Sequence, residues 1–257
     1  MFNDKEYFEV NREERHFGNL LISSLIYNSK YREYFFGLVN KKIGSPDFLR
    51  DPFDIYSETA ILRDYWNDLG DAQKWTQELF NRRREIIDSC LDCFKIDKSI
   101  IDKEEYKEIF WTNKKKLCSP GKWTEKNNGK LKKLKDIQRK YGISESENYL
   151  CRIGWAFNAK PDILIISGEN CIIIELKLES GIGRTDDGYN QIQTQQDIID
   201  LCKITAPFFS NKTFKRILLT KEASNNDLSW SEALSDLSFF SNDIIKKHFK
   251  NIVAPGT

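Results

Sequence analysis

The amino-acid sequence predicts an α/β protein, with helices in the first half and a sheet in the second. Three observations lead there. Through the first hundred positions apolar residues recur at intervals of three and four, as in the series Phe17, Leu21, Leu25. From residue 148 the texture changes to short β-branched and aromatic runs broken by turn residues. A helical stretch at 189–204 then separates the earlier runs from a further strand, "FKRILLT".

Taken in order, the first helix ends near residue 28 and is capped by Asn11 with Glu14, since an Asn followed three residues later by Glu satisfies two orphan backbone donors. A second helix covers 31–43, and "GSPDFLRDPFD" (44–54) reads as a loop. Trp75, Leu79, Ile86, Ile87, Cys90 and Phe94 share one stripe of a helix over 72–94. Residues 112–129, with Pro120, Gly121 and an Asn-Asn-Gly, read as an exposed loop, followed by a short basic helix ending at Gly142. Strands are expected at 148–157, 162–167, 171–178 and 214–220, and a last helical region at about 227–250. The expected division is therefore a mainly helical region, 1–147, packing on a core, 148–257.

Composition narrows the classes. No apolar run approaches the ~20 residues a membrane-spanning helix needs. The start shows no basic segment followed by an apolar stretch, so a cytoplasmic location is the expectation. Six cysteines in apolar or mixed stretches lack a disulfide-framework spacing, which suits free thiols. The net charge of +1 conceals an asymmetry: residues 112–140 hold 11 Lys/Arg against 2 Asp/Glu, so this segment is +9 and the rest is −8. Interleaved with Trp111, Trp123 and Tyr141, its lysines, among them Lys114, Lys115, Lys116, Lys132 and Lys133, are candidates for backbone contacts to nucleic acid. A solvated charged face is the bland alternative.

The chemistry concentrates in "KPDILIISGENCIIIELKLESG", residues 160–181. Asp162 opens one strand, a tight turn reverses the chain, and Glu175 and Lys177 emerge near the end of the partner. In such a hairpin the residues near the open end face one another, and residues two apart share a face. Two carboxylates and an ammonium thus converge on an otherwise apolar sheet. Burying them unpartnered costs several kcal/mol each. Two oxygen-bearing side chains beside a strand carbonyl make a hard-cation site suited to Mg2+. The alternative is that they edge the sheet at a solvated rim, with Lys177 paired to a carboxylate. Spacing alone does not decide: chance predicts about two Glu-x-Lys triplets, and the sequence holds two. The other, Glu105-Tyr106-Lys107, has the texture of a polar helix and no strand pair before it.

Pro161-Asp162, the strand pair, Glu175-Leu176-Lys177 and the following Gln-rich stretch resemble the active-site motif of the PD-(D/E)xK nuclease superfamily, the restriction-endonuclease-like fold. The motif covers 161–177 and the wider element order about 148–220. The resemblance implies a restriction-endonuclease-like mixed sheet flanked by helices. It implies Asp162, Glu175 and the Leu176 carbonyl as ligands of Mg2+, with Mn2+ able to substitute, and Lys177 as the group that orients or activates the attacking water. It implies hydrolysis of phosphodiesters in nucleic acid, with DNA as the first expectation and host defence as the first context. Some members place a glutamine on the helix after the motif, which points to Gln195 first and Gln191 second, against satisfaction of backbone groups at the helix edge. Others bring an acid from an N-terminal helix into the metal site, which points to Glu14 over Glu13, against the capping role above. Arg184, in the Gly-rich "ESGIGRTDDG", is placed to meet a phosphate. Cys90 and Cys93 are read as core thiols, because no second Cys-x-x-Cys follows. A catalytically silent nucleic-acid-binding module and a helical regulatory protein stay open as alternatives, as do a homodimer and an activating partner or ligand.

Overall fold

A computed structural model describes residues 14–70, 76–113, 116–123, 145–177, 191–221 and 227–235. The chain divides into two compact units, Met1–Thr59 with Pro161–Gly183 and Thr213–Thr257, and Ala60–Lys160 with Arg184–Lys212.

The first unit is built on a mixed five-stranded sheet. Its strands are β1 (Asp54–Ser57), β4 (Ile163–Ser167), β5 (Asn170–Leu176), β6 (Thr213–Thr220) and β7 (Leu228–Ser229), in the spatial order β1-β4-β5-β6-β7. The pairs β1/β4 and β4/β5 are antiparallel, and β5/β6 and β6/β7 are parallel. Helices α1 (Glu14–Tyr27) and α2 (Ser29–Ile43) cover one face. Phe17, Leu21, Leu25, Phe35 and Val39 form one buried cluster with Ile163, Ile165, Ile172, Ile174, Leu176, Ile217 and Leu219. Each fully buried aliphatic side chain here contributes roughly 1.5–3 kcal/mol. The helical spacing of the first group meets the alternate residues of the strands, as two periodic surfaces in contact require. Asn28 separates the two helices and accepts the Tyr31 N–H, and Gly44 ends α2 at a φ of 74°.

The second unit contains α3 (Ile61–Asp68), α4 (Gln77–Cys93), the four-residue α5 (Lys107–Phe110), α6 (Glu145–Asn158) and α7 (Gln191–Thr205). It also holds a small ladder of β2 (Trp111–Asn113) and β3 (Lys116–Leu117) and several 3-10 turns. Thr76 caps α4 by accepting the Leu79 N–H. Arg152 of α6 makes a two-pronged bond to Asp197 of α7, at 2.7 and 3.0 Å, and its guanidinium lies over Phe94 and Tyr149. Asp197 is 2% exposed and also accepts from Gln193, so a buried charge is matched by three donated bonds.

Several sequence expectations change. Residues 148–157 are helix α6, not a strand. Leu150, Ile153, Gly154 and Phe157 are buried at the helical positions i, i+3, i+4 and i+7, so an apolar helical stripe outweighs the strand-like propensity of the individual residues. Residue 120–122 of the expected loop forms a 3-10 turn, and Lys116 and Leu117 form β3. Strand β1 lies at the end of the expected loop 44–54: four residues with one half-buried side chain are too short for a periodic signal. The region 227–250 opens with β7 and α8 (Trp230–Ala233), and residues from 236 lie outside the described residues. The basic helix expected before Gly142 also lies outside them. No described helix is long and apolar enough to cross a membrane.

Candidate functional site

The hairpin β4–β5 turns through Gly168 and Glu169, with Ser167 opposite Asn170. Gly168 has a φ of 56° with open space around its Cβ position, so the residue is required for backbone conformation and not for room. Ser167 Oγ and Asn170 Nδ2 tie this end to the loop after α2 through the Arg50 and Phe48 carbonyls.

That register determines what happens at the other end. Ile163 opposes Ile174, so one step further Asp162 falls opposite Glu175. Ile163, Ile174 and Leu176 point into the core under α1 and α2, and alternation therefore turns Glu175 and Lys177 to the other face, beside Leu218 of β6. Both charged residues are buried, Glu175 at 7% and Lys177 at 8% exposure, and Lys177 Nζ lies 3.0 Å from Glu175 Oε1. The Asp162 carboxylate leans toward β5 and its Oδ2 accepts the Leu176 N–H at 2.8 Å.

The backbone of β5 completes the set. Lys177 donates its N–H to the Leu219 carbonyl of β6 at 2.8 Å. In a strand both backbone groups of a residue face one neighbour and those of the next residue face the other. Leu176, whose N–H meets Asp162, thus turns its carbonyl to the Asp162 side as well. Two carboxylates and one carbonyl in adjoining register positions are the hard-oxygen donors that Mg2+ prefers. The bonds named here engage one oxygen of each carboxylate. Among the described residues no group of three His, Cys, Asp or Glu side chains is close enough to hold a metal, so this set would be completed by the Leu176 carbonyl and by solvent or phosphate oxygens.

Other predicted site residues stand as follows. Gln195 is 3% exposed on α7, among the buried Ile198, Ile199 and Cys202, so it is the polar member of an apolar stripe as its spacing indicated. It belongs to the second unit, whereas Asp162, Glu175 and Lys177 belong to the first. Gln191 is the first residue of α7 and Glu14 the first of α1, and their side chains lie outside the described residues. Lys114, Lys115, Lys132, Lys133 and Arg184 lie outside them too. Lys116 is half-buried on β3 and Lys122 is exposed. Cys90 is buried on α4 and burial pushes its thiol well above the ordinary range, which opposes the thiolate form that binds metal; Cys93 is exposed. Glu105 and Lys107 of the second Glu-x-Lys lie in a 3-10 turn and α5, neither of them on a strand.

Two neighbours of the site carry no sequence signal. The β1/β4 register puts Glu58 opposite Asp162, and the Glu58 N–H bonds the Asp162 carbonyl at 3.3 Å. Trp230 donates its indole Nε1–H to the Lys177 carbonyl at 3.1 Å. Both depend on strand neighbours distant in the chain. No family model, curated protein or solved structure matches the chain.

Proposed function

We propose that the protein is a metal-dependent nuclease of the PD-(D/E)xK type that hydrolyses phosphodiester bonds of nucleic acid, DNA foremost, in a setting such as host defence. The observation that supports this best is the burial of the Glu175–Lys177 ion pair at the register position facing Asp162. Residues that merely edged a solvated rim would be exposed. A buried pair is also poor support for stability alone, because desolvation offsets most of its attraction.

Asp162, Glu175 and the Leu176 carbonyl would hold Mg2+, or Mn2+ in its place. When bound, the ion supplies positive charge that polarises a phosphate oxygen and makes water more acidic. Glu175 and Asp162 orient water by accepting its hydrogens. Lys177, released from Glu175 Oε1, donates to a non-bridging oxygen where negative charge builds. Water oxygen bonds to phosphorus, the bond to the 3′ oxygen breaks, and the water proton ends on that oxygen, leaving 5′-phosphate and 3′-hydroxyl. The basic segment 112–140 would neutralise backbone phosphates.

One observation favours a second reading, a nucleic-acid-binding fold without catalysis: the Glu175 carboxylate has a cation of this same chain, Lys177, 3.0 Å away to compensate it. Incubation with supercoiled, linear and single-stranded DNA and with RNA separates the two, in Mg2+, Mn2+ or chelator, beside Lys177→Ala. The nuclease cuts only with divalent ion, and Lys177→Ala binds but does not cut. Cleavage that survives chelation, or none with any substrate, overturns the proposal.

A further inference from the structure

Lys177 sits one residue past the last β5/β6 pair, Leu176 opposite Leu219. Its N–H is still taken by the Leu219 carbonyl. Its own carbonyl is buried at the ladder's end and is met by the Trp230 indole. A phenylalanine or leucine could fill the same core space but could not donate; buried Trp is used where its N–H has a partner. Trp230 is 1% exposed and opens α8 directly after β7.

α8 is itself held from two sides. Ser229 and Glu232 form a capping box, with the Ser229 hydroxyl accepting the Glu232 N–H and Glu232 Oε2 accepting the Ser229 N–H. From α2, Tyr31 donates to the Ala233 carbonyl, Tyr34 to the Glu232 carbonyl, and Lys42 pairs with Glu232. An unbroken series of bonds therefore runs from α2 through α8 to the backbone of Lys177, and through the Lys177 side chain to Glu175.

We infer that Trp230 is a positioning residue for Lys177: its indole N–H fixes the backbone from which the ammonium is aimed. The inference rests on the nuclease reading for its catalytic consequence and on the buried pair alone for its structural one. With both backbone groups of Lys177 bonded, its Cα–Cβ direction is set, and the ammonium reaches Glu175 without a search of backbone conformations. Without the indole N–H, this bond to the Lys177 carbonyl is lost and the backbone that aims the ammonium is held less firmly.

Trp230→Phe tests this, because it keeps an aromatic ring and removes the donor. Cleavage kcat should fall about 10–100-fold, the range for losing a group that orients a catalytic residue, with KM within about twofold of the parent. Phe36→Leu, a packing change in the same core with no bond to Lys177, should leave kcat unchanged. A second readout needs no nuclease activity: the rate of acetylation of Lys177 by an N-hydroxysuccinimide ester, followed by mass spectrometry without metal. It should rise several-fold in Trp230→Phe and not in Phe36→Leu, with buried Lys212 of the other unit as internal reference. If Trp230→Phe does not fold, Ser229→Ala, which loosens only the cap of α8, should show the same changes in smaller measure. Parent-like kcat and parent-like labelling would overturn the inference. A parent that cuts nothing while Lys177 labelling rises in Trp230→Phe would overturn the nuclease reading and leave the positioning contact standing.

Discussion

Replacing Lys177 by Met would remove one charge of the buried pair while keeping much of the apolar stem. Both side chains are 9% exposed and the charged atoms are 3.0 Å apart, so little water screens them. Coulomb attraction at that distance and an effective dielectric of about 20 is roughly 5–6 kcal/mol. Desolvation offsets much of this in the intact pair, but the variant keeps Glu175 buried and loses its partner, which costs about 3–5 kcal/mol. At roughly 2–4 °C per kcal/mol for a chain of this size, Tm should fall by about 6–20 °C in chelator. The double variant Glu175→Gln/Lys177→Met should recover most of the loss, because no charge is then buried alone. Mg2+ should raise the Tm of Lys177→Met more than that of the parent, since it supplies the missing positive charge. Urea and thermal unfolding of the three proteins, with and without Mg2+, measures all three effects. A loss below about 1 kcal/mol for the single variant, or a double variant no better than the single, would refute the buried coupling.

Other perturbations follow from single contacts. Asp197→Asn leaves Arg152 and Gln193 facing a weaker acceptor at a buried position, and should destabilise by about 3 kcal/mol in urea titration, with Arg152→Ala at least as costly because it leaves the buried Asp197 carboxylate without its cation. Gly18→Ala places a Cβ 2.7 Å from Leu176 Cδ1. A helix-propensity gain of about 1 kcal/mol is then opposed by about 1–3 kcal/mol of overpacking, so Tm should stay level or fall, and a clear rise would show that Leu176 yields freely. The Ser229 backbone N–H, then the Lys42 ammonium, holds the Glu232 carboxyl below its ordinary value of 4.5. Its contribution is present above that pH and is lost as pH falls through the lowered folded-state value; it stays below about 1 kcal/mol because the side chain is 40% exposed. Glu232→Gln should flatten that part of the stability-versus-pH curve, and an unchanged slope would count against the capping box.

The hairpin that carries the candidate site was legible in the sequence because its information is local. Two β-branched runs joined by Gly168 set the register, and the register alone brings Asp162 opposite Glu175 and puts Lys177 on the same face as Glu175. The stripe of α1 was legible for the same reason: Phe17, Leu21 and Leu25 repeat every four residues and are all buried. α6 reads as a strand because Tyr149, Ile153, Trp155 and Phe157 favour strands one by one, whereas burial falls on Leu150, Ile153, Gly154 and Phe157 with a helical period that a short window blurs. β1 and β7 are too short to show a period, and each exists because a longer strand offers it an edge. The contacts of Glu58 and Trp230 arise from those two strands, so they could not be found before the strand order was known.

The proposed function stands on Asp162 and Glu175 sharing one divalent cation at the mouth of the hairpin. Mn2+ binding to the parent, to Asp162→Asn and to Glu175→Gln, counted by electron paramagnetic resonance of the free ion, addresses it without requiring substrate or cleavage. The parent should bind Mn2+ that Mg2+ displaces, and both variants should lose it. Equal binding by all three proteins would contradict this.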